Sequence, residues 1–140
     1  MKKLNKGFTL IELLIVMVII GMLAALVGPR LFGQLEGSKN KAAKAQIEMM
    51  ATALDAYRLD MNAYPSTELG LQVLWEKPAS DANAAAIWRG PYLRKAVPVD
   101  PWGNPYQYRS PGNKGEFDLY SFGRDGREGG EGEDADIVSW

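Results

Sequence analysis

The chain has 140 residues, 16 Lys and Arg against 17 Asp and Glu, a formal net charge of −1, and neither histidine nor cysteine. That length suits one small domain beside a membrane segment, and the charge balance offers no basic field, so nucleic acid is not expected as a partner. Without His or Cys there is no Ser-His-Asp or Cys-His machinery, no ordinary zinc site and no disulfide, which leaves core packing, assembly or an oxygen-bound ion to stabilise an exported domain.

Residues 8–28 are apolar except for Thr9 and Glu12, close to the ~20 residues that a helix needs to cross a bilayer. Lys2, Lys3 and Lys6 precede them, so the positive-inside bias leaves the N-terminus cytoplasmic and sends the C-terminal part outward. A secretory signal peptide would close on a small-x-small pattern, which GMLAALVGPR (21–30) lacks. Gly7, between Lys6 and Phe8, is the only small residue at the polar-to-apolar junction. A carboxylate at the centre of a span costs roughly 2.5–3.5 kcal/mol. Glu12 therefore needs either a partner or a path to the nearby headgroups, along which it would snorkel.

Beyond Pro29 the run becomes amphipathic. Ala43, Ile47, Met50, Leu54, Tyr57 and Met61 recur at spacings of four and three, which puts them on one helical face. Lys39, Lys41, Lys44, Glu48, Asp55 and Arg58 take the rest. The pattern predicts one long helix from about Phe8 to about Met61, with Gly28, Pro29 and Gly33 as places where it can kink or melt. Pro65 ends it by biasing Tyr64 away from helical backbone. Ser66 or Thr67 is expected to cap a short second helix carrying Leu69, Leu71, Val73, Leu74 and Trp75. EKPASDANAAAIWRGP (76–91) has no clear period and reads as an irregular loop.

From Pro98 onward the pattern is β-like. Tyr106 and Tyr108 alternate with Gln107, and Phe117, Leu119 and Ser121 alternate with Asp118 and Tyr120, so two strands are expected to flank a turn at 110–115. Asp100, Pro101 and Gly103 stand where a type I turn favours them, predicting a rigid corner at DPWG with Trp102 as its apolar anchor. Residues 122–140, FGRDGREGGEGEDADIVSW, crowd Asp125, Glu128, Glu131, Glu133, Asp134 and Asp136 into a Gly-rich loop. Ca²⁺ takes 6–8 such hard oxygens, but Arg127 and Gly129 stand where an EF-hand would need ligands. A solvated acidic tail is the competing reading. Against it, Ile137, Val138 and Trp140 are apolar groups suited to pinning the loop back on the sheet.

The stretch KGFTLIEL (6–13) resembles the class III signal of type IV pilins and pseudopilins. This implies cleavage by a prepilin peptidase between Gly7 and Phe8, methylation of the new amine on Phe8, and a Glu12 that pairs with a neighbouring subunit's amine as an assembly register. YPST…GL (64–71), DPWGNPYQY (100–108) and DADIVSW (134–140) resemble the major pseudopilins of type II secretion over essentially the whole chain. The resemblance implies an α+β, type IV pilin-like fold: a leader at 1–7, a transmembrane and assembly helix at 8–29, its amphipathic continuation at 30–62, and a periplasmic head at 63–140 with a small antiparallel sheet. It also implies a calcium-binding C-terminal loop using Asp125, Asp136 and the Phe122 carbonyl, with Asp134 or its neighbour Glu133 as a further ligand.

By the same resemblance the chain is no enzyme. It would be a single-pass inner-membrane protein that assembles into a helical homopolymer, the periplasmic pseudopilus that helps drive folded proteins across the outer membrane. Its partners would be other copies of itself, minor pseudopilins, the inner-membrane secretion platform, prepilin peptidase and membrane lipid. A type IV or competence pilin subunit is the alternative within the superfamily. A membrane-anchored hydrolase using the C-terminal carboxylates is the alternative outside it, and would need paired acids lining a cleft.

Overall fold

The computed structural model describes residues 6–140, so Lys2 and Lys3 of the expected leader lie outside the described residues. Its principal element is helix α1, Leu10–Met61, 52 residues long. The helix begins two residues later than the apolar run because Thr9 is its N-cap, with the Thr9 carbonyl accepting the Leu13 N–H at 3.2 Å. Pro29 deprives the helix of one donor, yet the helix continues through it without a break. The chain divides into two compact units, Met1–Leu35 and Glu36–Trp140.

In the first unit the apolar side chains of the helix are exposed from Leu10 through Leu35. Its mean hydropathy and length suffice to cross a membrane. A helix apolar on all sides and unburied by its own chain is at home in lipid or against other copies of itself.

In the second unit α1 buries the stripe that its spacing predicts. Ala43, Ile47, Met50, Leu54 and Tyr57 are buried and joined by Ala53, while Lys41, Lys44, Glu48, Asp55 and Arg58 remain exposed. Leu71, Val73, Leu74, Leu93, Tyr106 and Leu119 close the core over them, with Met61 packed at its edge. Tyr57 meets Tyr92 edge to face with ring centroids 5.5 Å apart, a geometry that aligns ring edge and face charges.

The segment after α1 departs from expectation twice. No capped α-helix carries residues 69–75. Ser66 accepts the Leu69 N–H at 3.3 Å and so closes a turn, and Gly70 at φ 63° separates it from a 3-10 helix, Leu71–Leu74. Conversely, α2 (Ala82–Ile87) forms inside the stretch expected to be irregular. The Asp81 carboxylate caps it, accepting from Asn83 N and Ala84 N at 3.0 Å, and alanine has the highest helix propensity. A six-residue helix is too short to display a period, but its cap and its alanines are visible in the sequence. Tertiary packing holds it: the Trp88 indole N–H donates to the Val73 carbonyl at 2.8 Å.

Strands β1 (Gln107–Arg109) and β2 (Asp118–Ser121) form the expected hairpin, with Tyr108 opposite Leu119. Tyr106 and Phe117 stand one residue outside their strands. A third strand, β3 (Ile137–Val138), pairs antiparallel with β2, so the sheet order is β1-β2-β3. At two residues it has no alternation to read. The predicted corner forms, with Gly103 N–H donating to the Asp100 carbonyl at 2.9 Å and Gly103 at φ 89°. Trp102 is half-buried there. The Asp100 side chain is only 3% exposed. One of its carboxylate oxygens accepts from Trp102 N at 3.1 Å and Asn104 N at 2.8 Å, the other from the Ser121 hydroxyl at 2.7 Å.

The hairpin turn has its own buried carboxylate. Asp118, 4% exposed, accepts from Asn113 N at 2.7 Å and Lys114 N at 3.1 Å. Burial pushes its pKa up, but the N–H donors of Asn113, Lys114 and Gly115 and the charge of Arg109 outweigh burial and hold it below the ordinary value. A depressed folded pKa contributes stability that is present above the unfolded value of about 3.9 and lost as pH falls through the folded value. Asp118→Asn should therefore lower stability at pH 6. Its deficit against the unsubstituted chain should shrink on acidification below pH 4, as read by denaturant unfolding at both pH values. A deficit independent of pH would assign Asp118 a packing role alone.

Candidate functional site

The N-terminal site is built by a helix start. Lys6, Gly7 and Phe8 are exposed and lie outside the helix. Phe8 is 88% exposed, and a Cβ built on Gly7 would meet nothing within 4 Å. Exposed backbone outside regular structure is what a peptidase requires. Thr9 and Glu12 form a reciprocal capping box: Thr9 N–H donates to Glu12 Oε2 at 3.1 Å, and Glu12 N–H donates to Thr9 Oγ1 at 3.3 Å. Glu12 thus has a local partner as well as the intermolecular one expected of it, and the Thr-x-x-Glu spacing announces that local partner. One of its oxygens is used; among the described residues the other accepts no hydrogen bond.

The C-terminal loop, residues 122–136, leaves β2 and returns to β3, where Ser121 lies opposite Ile137. It is closed rather than a solvated tail. Arg124 N–H donates to the Glu133 carbonyl at 2.8 Å, and Ser139 N–H donates to the Leu119 carbonyl at 2.9 Å. The Trp140 ring lies 5.9 Å from that of Tyr120. Glycine is needed at two close approaches. Gly123, at φ 74°, has backbone so near the returning segment that a Cβ would fall 2.6 Å from the Glu133 carbonyl oxygen. At Gly130, φ 96°, the Cβ would fall 2.5 Å from that of Asp134.

The expected ligands are not equivalent. Asp134 is taken by Arg124, whose guanidinium donates to both its oxygens at 2.8 and 3.0 Å and to Glu133 at 3.0 Å. This bidentate pairing cancels within the chain part of the carboxylate repulsion that the composition implies. Asp125 accepts from Arg127 N at 3.1 Å, and Asp136 Oδ2 from Gly129 N at 3.0 Å. Asp136 Oδ1 is buried with no partner. Among the described residues no three acidic side chains converge as a metal site. Where Ca²⁺ is concerned, the fit therefore rests on that orphaned oxygen, an acceptor that can be satisfied only by a donor or a cation, and on a glycine-rich backbone free to turn carbonyls inward. The sequence gives no sign of the role of Arg124, because its neighbours in the chain do not show which acids it meets.

Residues 30–140 match the family model described as Type II secretion system (T2SS), protein G, and residues 2–28 match the Prokaryotic N-terminal methylation motif. The Type II secretion system core protein G of Pseudomonas aeruginosa is 51% identical, over 99% of this chain and 97% of its own. That of Vibrio cholerae is 46% identical, over 100% of this chain and 96% of its own. The crystal structure of the major pseudopilin from the type 2 secretion system of enterohaemorrhagic Escherichia coli superposes with a TM-score of 0.63 at 35% identity, covering 80% of this chain and 95% of that one. A methylation motif leading an exposed apolar helix, followed by a head matched across its length, identifies the chain as a member of the protein G family of type II secretion, the major pseudopilins.

Proposed function

We propose that this chain is the repeating subunit of the periplasmic pseudopilus, a structural polymer that helps drive folded proteins across the outer membrane, and not an enzyme. The observation that carries this is the pairing, in one chain, of a full-length match to protein G with an apolar helix start whose side chains its own fold leaves uncovered. An anchor alone would not need the methylation motif. A hydrolase would need acids gathered in a cleft, whereas Asp134 and Glu133 are bound to Arg124. The head lies in the periplasm and the leader faces the cytoplasm before processing, by the positive-inside bias.

Assembly follows from the physics of the helix start. Prepilin peptidase removes residues 1–7, and the cationic amine so formed on Phe8 attracts the Glu12 carboxylate of a neighbouring copy at low dielectric. Membrane lipid stores the subunits, and minor pseudopilins and the inner-membrane platform are the remaining partners. In the loop, Ca²⁺ would be held by Asp136, Asp125 and the Phe122 carbonyl, and by Asp134 once Arg124 releases it. The ion supplies positive charge that neutralises the loop's acids.

Three outcomes are expected. Gly7→Leu should retain the leader, since a peptidase that accepts no side chain before Phe8 cannot cut; a mature N-terminus at Phe8 by mass spectrometry would refute the cleavage site. Glu12→Val should insert and be processed yet yield few filaments by electron microscopy, while wild-type yield would return Glu12 to its capping role. The full chain in detergent should melt higher in millimolar Ca²⁺ than in chelator. A ligand at 100 times its Kd adds about 2.7 kcal/mol, and each kcal/mol moves Tm by roughly 4–8 °C for a domain near 100 residues. Asp136→Ala should abolish that difference, and equal melting of the unsubstituted chain in both solutions would remove calcium from the proposal.

A further inference from the structure

We infer that the Asp100–Asn104 corner is the positioning element of the C-terminal loop, holding the Gly123 carbonyl through Asn104 and, through the Ser121 hydroxyl bonded to Asp100, the Gly123 N–H, and thereby setting where the loop's oxygens fall. The inference deepens the calcium reading and rests on it for its metal-binding consequence.

The chain of hydrogen bonds is continuous. The Ser121 hydroxyl has one proton and gives it to the Asp100 carboxylate at 2.7 Å. Its lone pairs are then left to accept, and Gly123 N–H donates to Ser121 Oγ at 3.1 Å. The Asn104 amide donates to the Gly123 carbonyl at 3.3 Å. Asp100 can enforce this polarity because Trp102 N–H and Asn104 N–H both donate to its other oxygen, so a carboxylate 3% exposed is satisfied throughout. Ser121 is 0% exposed, which excludes a nucleophilic role for this Ser–Asp pair.

Gly123 is the right residue to hold. It follows Phe122, the source of the expected carbonyl ligand, and it is wedged against the backbone of Glu133 and Ala135. Its neighbour Arg124 reaches Glu133 through its backbone and Asp134 through its side chain. Fixing Gly123 therefore fixes both the outgoing strand end and the returning segment that delivers Asp136. The Gly126 backbone also packs on the Asn104 amide, where a Cβ would lie 3.5 Å from its nitrogen. Neither tether is local, since they connect residues 21 and 19 positions apart, and no other contact ties the loop's first residues to the DPWGN corner among the described hydrogen bonds.

The test is amide hydrogen exchange and calcium titration on the full chain in detergent. Asn104→Asp keeps shape and volume but removes the donor, and Ser121→Ala removes the relay with the loss of one oxygen, so at least one should fold. Each should raise exchange at residues 123–126 in chelator by about tenfold, the worth of one hydrogen bond, with amides of 47–57 in α1 unchanged. Each should also weaken Ca²⁺ binding by a similar factor. Unchanged exchange in both variants overturns the inference, as does faster exchange spread through α1, or unchanged Ca²⁺ affinity in a chain that binds the ion. If the unsubstituted chain binds no Ca²⁺ but loop exchange rises as expected, the calcium reading falls and the positioning of the loop by the corner stands.

Discussion

Everything in the head depends on burying one stripe of α1. The sheet has strands of three, four and two residues, too little to be stable alone, and no disulfide is available to staple it. Ile47, Met50, Leu54 and Tyr57 supply the apolar surface against which Leu119, Leu74 and Tyr106 become a core. At roughly 1.5–3 kcal/mol for each large side chain fully removed from water, that stripe is the main source of the head's stability. The element whose first part is exposed and long and apolar enough to cross a membrane thus serves as the spine of the head in its second.

On that core the polar groups are arranged by two buried carboxylates, each satisfied by backbone donors. Asp118 gathers the N–H groups of the hairpin turn, and Asp100 gathers those of its own corner plus the Ser121 hydroxyl. Carboxylates are costly to bury unless fully bonded, so each site admits little alternative geometry. The C-terminal loop inherits this rigidity through Gly123, and adds its own closure through Arg124 and β3. Asp136 Oδ1 is left as the buried oxygen in that loop without a partner.

The helix start is stabilised differently. Its apolar side chains are exposed among the described residues, so burial within the chain does not stabilise them. The capping box of Thr9 and Glu12 holds the first turn, and leaves the other Glu12 oxygen without a hydrogen bond among the described residues. Within the described residues that carboxylate has one role, closing the first turn of its own helix.

Local chemistry determined much of this chain by sequence alone. The apolar run, the buried face of α1, the DPWG corner, the hairpin and the N-terminal methylation motif were legible because each is written over neighbouring residues at helix, strand or turn spacing. Two further local signals, Thr9-x-x-Glu12 and the Asp81 cap of α2, stand in the sequence as well, though their meaning became plain only beside the folded helix starts. Tertiary structure decided the rest: the 3-10 turn after Gly70, the two-residue strand β3, the capture of Asp134 by Arg124, and the tethers from Asp100 and Asn104 to Gly123. In the loop, sequence shows six acids and many glycines, but not which acid meets an arginine and which is left with a bare oxygen. Those pairings form between residues brought together only when the core closes, and a linear pattern carries no record of distance across a fold.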